Sequence, residues 1–187
     1  TRGHKEVVVV TSYDMEEDIP KFEKLGVKKI ISEPVFNSDL RKLLSDKKNK
    51  ARLKKDKNIF KGRKILIVED NEINIDIISD YLDDVEIKYD SVRNGLDAYN
   101  RIKQNHSYDC VLMDIKMPVM DGYEATRKIR ALDDEYVRRL PIIAMTANAF
   151  AEDVQKSKEA GMNDHITKPV NLELFYSVIK KHMIGEE

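Results

Sequence analysis

From residue 63 onward, short continuous apolar runs alternate with segments in which apolar residues recur every three or four positions. RKILIVED sets an apolar run against two acids, and NEINIDIISDYL places Ile73, Ile77, Ile78 and Leu82 at helical spacing. VEIKY, residues 85–89, predicts a second strand. A helix over 94–105, the strand CVLM, a helix over 123–132 and the strand PIIAMT follow. A helix over 152–160 stops at Gly161, where glycine suits a left-handed cap. HIT reads as a brief fifth strand, and NLELFYSVIKKHM as a closing amphipathic helix.

Five strands, each followed by a helix, predict an α/β fold: a doubly wound, five-stranded parallel sheet with right-handed crossovers. ILIV, CVLM and IIAM lack alternation, as strands buried on both faces do. In such sheets, polar residues at the carboxyl ends of the strands converge on a crevice where the strand order reverses.

The first 50 residues repeat the second half of this pattern. Shifted by 135 positions, VVVVTS falls on IIAMTA, Leu25-Gly26 on Ala160-Gly161 and Pro34-Val35 on Pro169-Val170. Leu40, Leu43 and Leu44 then meet Phe175, Val178 and Ile179, and Glu33 stands where the second copy has Lys168. The expected organisation is a partial β-α-β-α repeat over residues 1–45, a basic linker over 46–61 and a complete domain over 62–187.

Chemistry gathers at the strand ends. Glu69 and Asp70 follow ILIV, Asp114 follows CVLM, Thr146 follows IIAM, and the fifth strand leads to Lys168-Pro169. Three carboxylates facing one another repel unless a cation intervenes, and an all-oxygen donor set favours a hard divalent ion such as Mg²⁺, which accepts a phosphate oxygen as a further ligand. An aspartate held in line with a phosphoryl donor can act as nucleophile. Lys168 is suited to pair with a phosphoryl oxygen and Thr146 to donate to another.

Charge and composition narrow the alternatives. Residues 45–64 carry ten Lys or Arg against two Asp, a local +8 within a chain of net charge −1. No aromatic interleaving accompanies that run, so a solvated linker is expected and no nucleic-acid partner. The single cysteine, Cys110, cannot form an intramolecular disulfide, and a cytoplasmic location is expected. No segment approaches the roughly 18 apolar residues of a membrane span, so no membrane contact is expected of this chain. Its start, without Met and within a pattern, suggests a piece of a longer protein that could itself be membrane-anchored. His4, His106 and His182 lack metal-ligand spacing and read as surface residues, while Met113, Met117 and Met120 read as packing and loop residues.

VEDNEIN, MDIKMPVMDGYEATRKIR, PIIAMTANA and AGMNDHITKPV resemble the receiver domains of two-component signalling, above all those of hybrid sensor histidine kinases, and the resemblance covers about residues 62–185. The resemblance implies a flavodoxin-like strand order of 2-1-3-4-5. It implies a His-Asp phosphorelay in which Asp114 accepts a phosphoryl group from a histidine kinase or a histidine phosphotransfer domain, the receiver catalysing its own phosphorylation and dephosphorylation. Glu69, Asp70, Asp114 and the backbone carbonyl of Lys116 would arrange Mg²⁺, with Glu69 acting through water, and Thr146 and Lys168 would sense the phosphoryl oxygens. Phosphorylation would then switch the face built from the fourth helix, fifth strand and fifth helix. The family's aromatic switch position holds His165; imidazole is smaller than phenol and can be charged near neutral pH, so that face is expected to respond to pH.

The resemblance makes residues 1–45 a degenerate receiver in which Glu33 opposes phosphorylation, and a homodimer through that half-domain is expected. Two rivals stand beside the phosphoacceptor reading. A dehalogenase-like phosphatase wants a second acid two residues after the nucleophile, where Lys116 stands. A non-phosphorylated structural or dimerisation module fits the first copy and fits the second poorly.

Overall fold

The structure, a computed structural model, describes residues 8–11, 29–32, 58–147 and 150–185. The chain divides between Arg52 and Leu53 into two compact units. In the first, β1 (Val8–Thr11) and β2 (Lys29–Ser32) form a parallel pair. Leu25, Gly26, Glu33, Pro34, Val35, Leu40, Leu43 and Leu44, His4, and the basic run up to residue 57 lie outside the described residues.

The second unit holds a five-stranded parallel sheet. Its strands are β3 (Lys64–Val68), β4 (Lys88–Val92), β5 (Cys110–Asp114), β6 (Ile142–Thr146) and β7 (Asp164–Thr167), in the order β4-β3-β5-β6-β7. Numbered within the domain this is 2-1-3-4-5, as expected. The helices are α1 (Glu72–Asp84), α2 (Gly95–Gln104), α3 (Gly122–Arg130), α4 (Glu135–Arg139), α5 (Ala151–Ala160) and α6 (Leu172–Ile184). The pairing of β1 with β2 matches that of β6 with β7: Val8 opposite Lys29 and Thr11 opposite Ser32 correspond, under the 135-position shift, to Ile143 opposite Asp164 and Thr146 opposite Thr167.

The unbroken apolar runs arise because alternate residues of each strand feed different cores. Ile65, Ile67, Cys110, Leu112, Ile143 and Met145 pack with Ile78 and Leu82 of α1 and Phe175 and Ile179 of α6. Leu66, Val68, Val111, Met113, Ile142 and Ala144 pack on the other face, with Ala98 and Ile102 of α2 and Ala125 and Ile129 of α3. Phe60, which falls in the span expected as linker, is fully buried in the first core.

Side-chain caps at Asn71, Asn94, Asp121, Asp134 and Asn171 start five of these helices. Gly161 ends α5 at φ +97°, as its position in the pattern predicts. One expectation needs correction. The second strand runs Lys88–Val92, not 85–89, because Val85 closes α1 and Glu86 turns the chain at φ +59°; Val85 and Ile87 are buried in this turn, not in a ladder. The short helix α4 was not expected; Asp134 caps it and Val137 alone anchors it among buried residues. Among the described residues, no helix is long and apolar enough to cross a membrane.

Candidate functional site

Glu69, Asp70, Asp114, Thr146 and Lys168 all lie at the carboxyl end of the sheet. Glu69 directly follows β3, and its backbone N–H donates to the Val92 carbonyl at 3.0 Å, which ties the strand tip to β4. Asp114 ends β5 and Thr146 ends β6, each less than a tenth exposed. Lys168 is brought alongside by its own N–H, which donates to the Thr146 carbonyl at 2.7 Å.

The charges are tightly packed. Glu69 is completely buried, whereas the neighbouring Asp70 is exposed. Lys168 Nζ lies 2.6 Å from Glu69 Oε2 and 3.0 Å from Asp114 Oδ2. The ammonium expected to meet a phosphoryl oxygen here bridges the two buried acids. Burial pushes the Asp114 carboxyl above the ordinary range, the Lys168 hydrogen bond pulls it back, and the nearby Glu69 charge raises it.

One oxygen from each of Glu69, Asp70 and Asp114 falls within 4.8 Å of the others. Three carboxylates at that separation suit a hard divalent cation, which accepts oxygen donors at little more than 2 Å and keeps waters on its open side. Beside them opens a cleft of about 540 Å³ lined by Asp70, Ile115, Lys116, Met117, Pro118, Asp121 and Tyr123. Lys116 reaches Asp114 through its backbone N–H, 3.4 Å from Oδ1.

The loop after β5 is built around close approaches. A Cβ on Gly122 would lie 2.2 Å from the Asp114 carbonyl oxygen, so only glycine lets α3 start this near the strand tip. Gly122 N–H also donates to the Ile115 carbonyl at 2.9 Å, and Gly95 N–H to the Met120 carbonyl at 3.0 Å. Val119, exposed in the same loop, holds φ +69°, a strained position for a β-branched residue.

His165 sits on β7 apart from the acids. Its N–H donates to Asp164 Oδ1 at 2.9 Å, and its ring is about one-third exposed. Two features escaped sequence reasoning. Asn74 Nδ2 donates to Glu69 Oε1 at 2.7 Å; its only signal was its place in the first turn of α1, five residues after Glu69. His182, expected at the surface, instead packs its Nε2 2.9 Å from Asp164 Oδ2, which Lys181 also reaches. Burial opposes the Asp164 charge, but the hydrogen bonds from His182, Lys181 and the His165 N–H outweigh it and pull that carboxyl down to about 2.

A family profile described as the response regulator receiver domain matches residues 65–180. The chain belongs to this family. Its receiver domain is 45% identical over 122 residues to hybrid signal transduction histidine kinase L of Dictyostelium discoideum, a match that covers 64% of this chain and 7% of that protein. Probable histidine kinase 1 of Oryza sativa subsp. indica is 31% identical over 179 residues, covering 75% of this chain and 18% of that one. This chain therefore spans a small part of the curated relatives it matches.

Among solved structures, the receiver domain of a Pseudomonas aeruginosa sensor histidine kinase, crystallised with a magnesium ion coordinated in its active-site cleft, is 40% identical with a TM-score of 0.60; the match covers 67% of this chain and 99% of that domain. The receiver domain of a Saccharomyces cerevisiae response regulator, co-crystallised with a histidine phosphotransfer protein, is 32% identical with a TM-score of 0.60, covering 66% and 90%.

Proposed function

We propose that the receiver domain is the phosphoacceptor of a His-Asp phosphorelay, with Asp114 as the accepting group. The observation that carries this reading is the meeting of Asp114, Lys168 and two further acids at neighbouring strand ends. The donor is a phosphohistidine on a histidine kinase or histidine phosphotransfer domain, in keeping with the yeast complex. An Asp114 carboxylate oxygen attacks phosphorus as the bond from phosphorus to the donor's imidazole nitrogen breaks, and the electron pair stays on that nitrogen. The donor's other ring nitrogen carries a proton, so the ring leaves as neutral imidazole, and an acyl phosphate remains on Asp114.

Glu69, Asp70, Asp114 and the Lys116 backbone are the groups that would hold Mg²⁺; when bound, it neutralises charge on the phosphoryl oxygens. Lys168 then exchanges its contact with Asp114 for a phosphoryl oxygen, and Thr146 donates to another. The roughly two added negative charges favour the arrangement in which both side chains reach inward, which alters the surface of α5, β7 and α6. His165 takes the place of the switch residue on that surface. Replacing it by Tyr changes partner affinity or its pH dependence; no change in either would discard the switch role.

Residues 1–45 are the rear half of a degenerate receiver, a reading supported by the shared strand register and by Glu33 at the lysine position. This segment acts structurally, through a homodimer that sedimentation would detect. The parent protein is a hybrid sensor histidine kinase, and this part of it is cytoplasmic. Incubation with acetyl phosphate and Mg²⁺ tests the phosphoacceptor reading: intact mass rises by one phosphoryl group, and Asp114→Asn abolishes the gain. No gain in the parent chain would leave the structural-module reading in its place.

A further inference from the structure

We infer that Asn74 is a positioning residue that fixes the buried Glu69 carboxylate in the orientation a divalent cation needs. The inference rests on the magnesium reading above. Asn71 caps α1, its Oδ1 accepting from the Ile73 N–H at 2.9 Å, so the helix begins at Glu72 and Asn74 falls in the first turn. Helical side chains lean toward the amino end of their helix, so Asn74 reaches back over the tip of β3. There its Nδ2 meets Glu69 Oε1 at 2.7 Å.

The two oxygens of Glu69 are therefore held differently. Oε2 pairs with the Lys168 ammonium, which also contacts Asp114 and so competes with any cation drawn to these acids. Oε1 is held by a neutral amide, which adds no charge and can keep its bond while a cation arrives. Glu69 is buried, so water cannot replace that donor without rearrangement. With the amide gone, repulsion from Asp70 and Asp114 is free to turn the carboxylate away. A lysine or arginine at this place would repel the cation, and an acid would repel Glu69. The amide avoids both.

The test is calorimetric titration of Mg²⁺ into the 187-residue chain and into Asn74→Ala and Asn74→Leu variants, each also built on Glu69→Gln. Outer partners of metal ligands typically change affinity by about 10–100-fold, so each Asn74 variant should bind at least about tenfold more weakly. On Glu69→Gln the same changes should shift affinity less than about twofold, since the amide acts only through that carboxylate. Asn74→Leu keeps the side-chain size and favours helix, so it carries the test should Asn74→Ala unfold. Unaltered affinity, or an equal loss on Glu69→Gln, overturns the inference while leaving the magnesium reading intact. A parent chain that binds no Mg²⁺ overturns both.

Discussion

Lys168→Met removes the one cation among the described residues that contacts both buried acids of the site. The ammonium lies 2.6 Å from Glu69, whose side chain is 1% exposed, and 3.0 Å from Asp114, 10% exposed. Removing one partner of a fully buried pair costs about 3–5 kcal/mol, because the other charge is stranded. Lys168 itself keeps 18% exposure, so water screens part of this, and about 2–3 kcal/mol is the expected loss in EDTA at neutral pH. For a domain of this size that lowers Tm by about 10 °C.

The loss also depends on pH in a defined direction. Asp114 is already raised above its ordinary value, and without Lys168 it rises further. A carboxyl raised on folding takes up a proton in the folded state, so its cost is present above the folded pKa and fades as pH falls. The gap between variant and parent should therefore narrow toward acid. Magnesium should restore more stability to the variant than to the parent, since no ammonium competes for the same oxygens. The chain has no tryptophan, so urea unfolding followed by far-UV circular dichroism is the suitable assay. A deficit below about 1 kcal/mol, the range of exposed pairs, or one insensitive to both pH and magnesium, would refute the reasoning.

Three further outcomes follow from the geometry. Gly122→Ala forces a Cβ against the Asp114 carbonyl, so it should displace α3 or the strand tip, lower stability by about 2 kcal/mol or more and weaken Mg²⁺ binding; a variant with parental Tm and affinity would contradict the close approach. Asp164→Asn should cost about 2 kcal/mol at neutral pH, because a carboxyl held near 2 contributes stability that is complete above its unfolded value and is lost as pH falls through the folded one. Unfolding curves at pH 7 and pH 2 should show that difference close. Phe60→Ala should destabilise the receiver domain by about 3–5 kcal/mol in urea melts, and a neutral result would return residue 60 to the linker.

The sheet was legible because a strand buried on both faces leaves an unbroken apolar run, and ILIV, CVLM and IIAM became β3, β5 and β6. VEIKY alternates instead, and its apolar positions misled: Val85 and Ile87 are buried in a turn, and burial alone does not distinguish turn from ladder. Helix α4 was invisible because one buried residue, Val137, makes no period. The shared location of Glu69, Asp70, Asp114, Thr146 and Lys168 could be read because a parallel sheet delivers each strand end to the same crevice. What each side chain touches depends on distances across the crevice, and no spacing encodes those. The ammonium of Lys168 on Glu69, the amide of Asn74 behind it and the contact of half-buried His182 with Asp164 are all of that kind.

Chemical trapping of the phosphorylated residue tests the central claim most directly. After incubation with a small phosphodonor and Mg²⁺, borohydride reduces an aspartyl phosphate to homoserine, which peptide mass spectrometry locates. Homoserine at position 114, absent when EDTA replaces Mg²⁺, is the expected result. Homoserine at Asp70 or elsewhere, or equal labelling without the metal, would contradict the account.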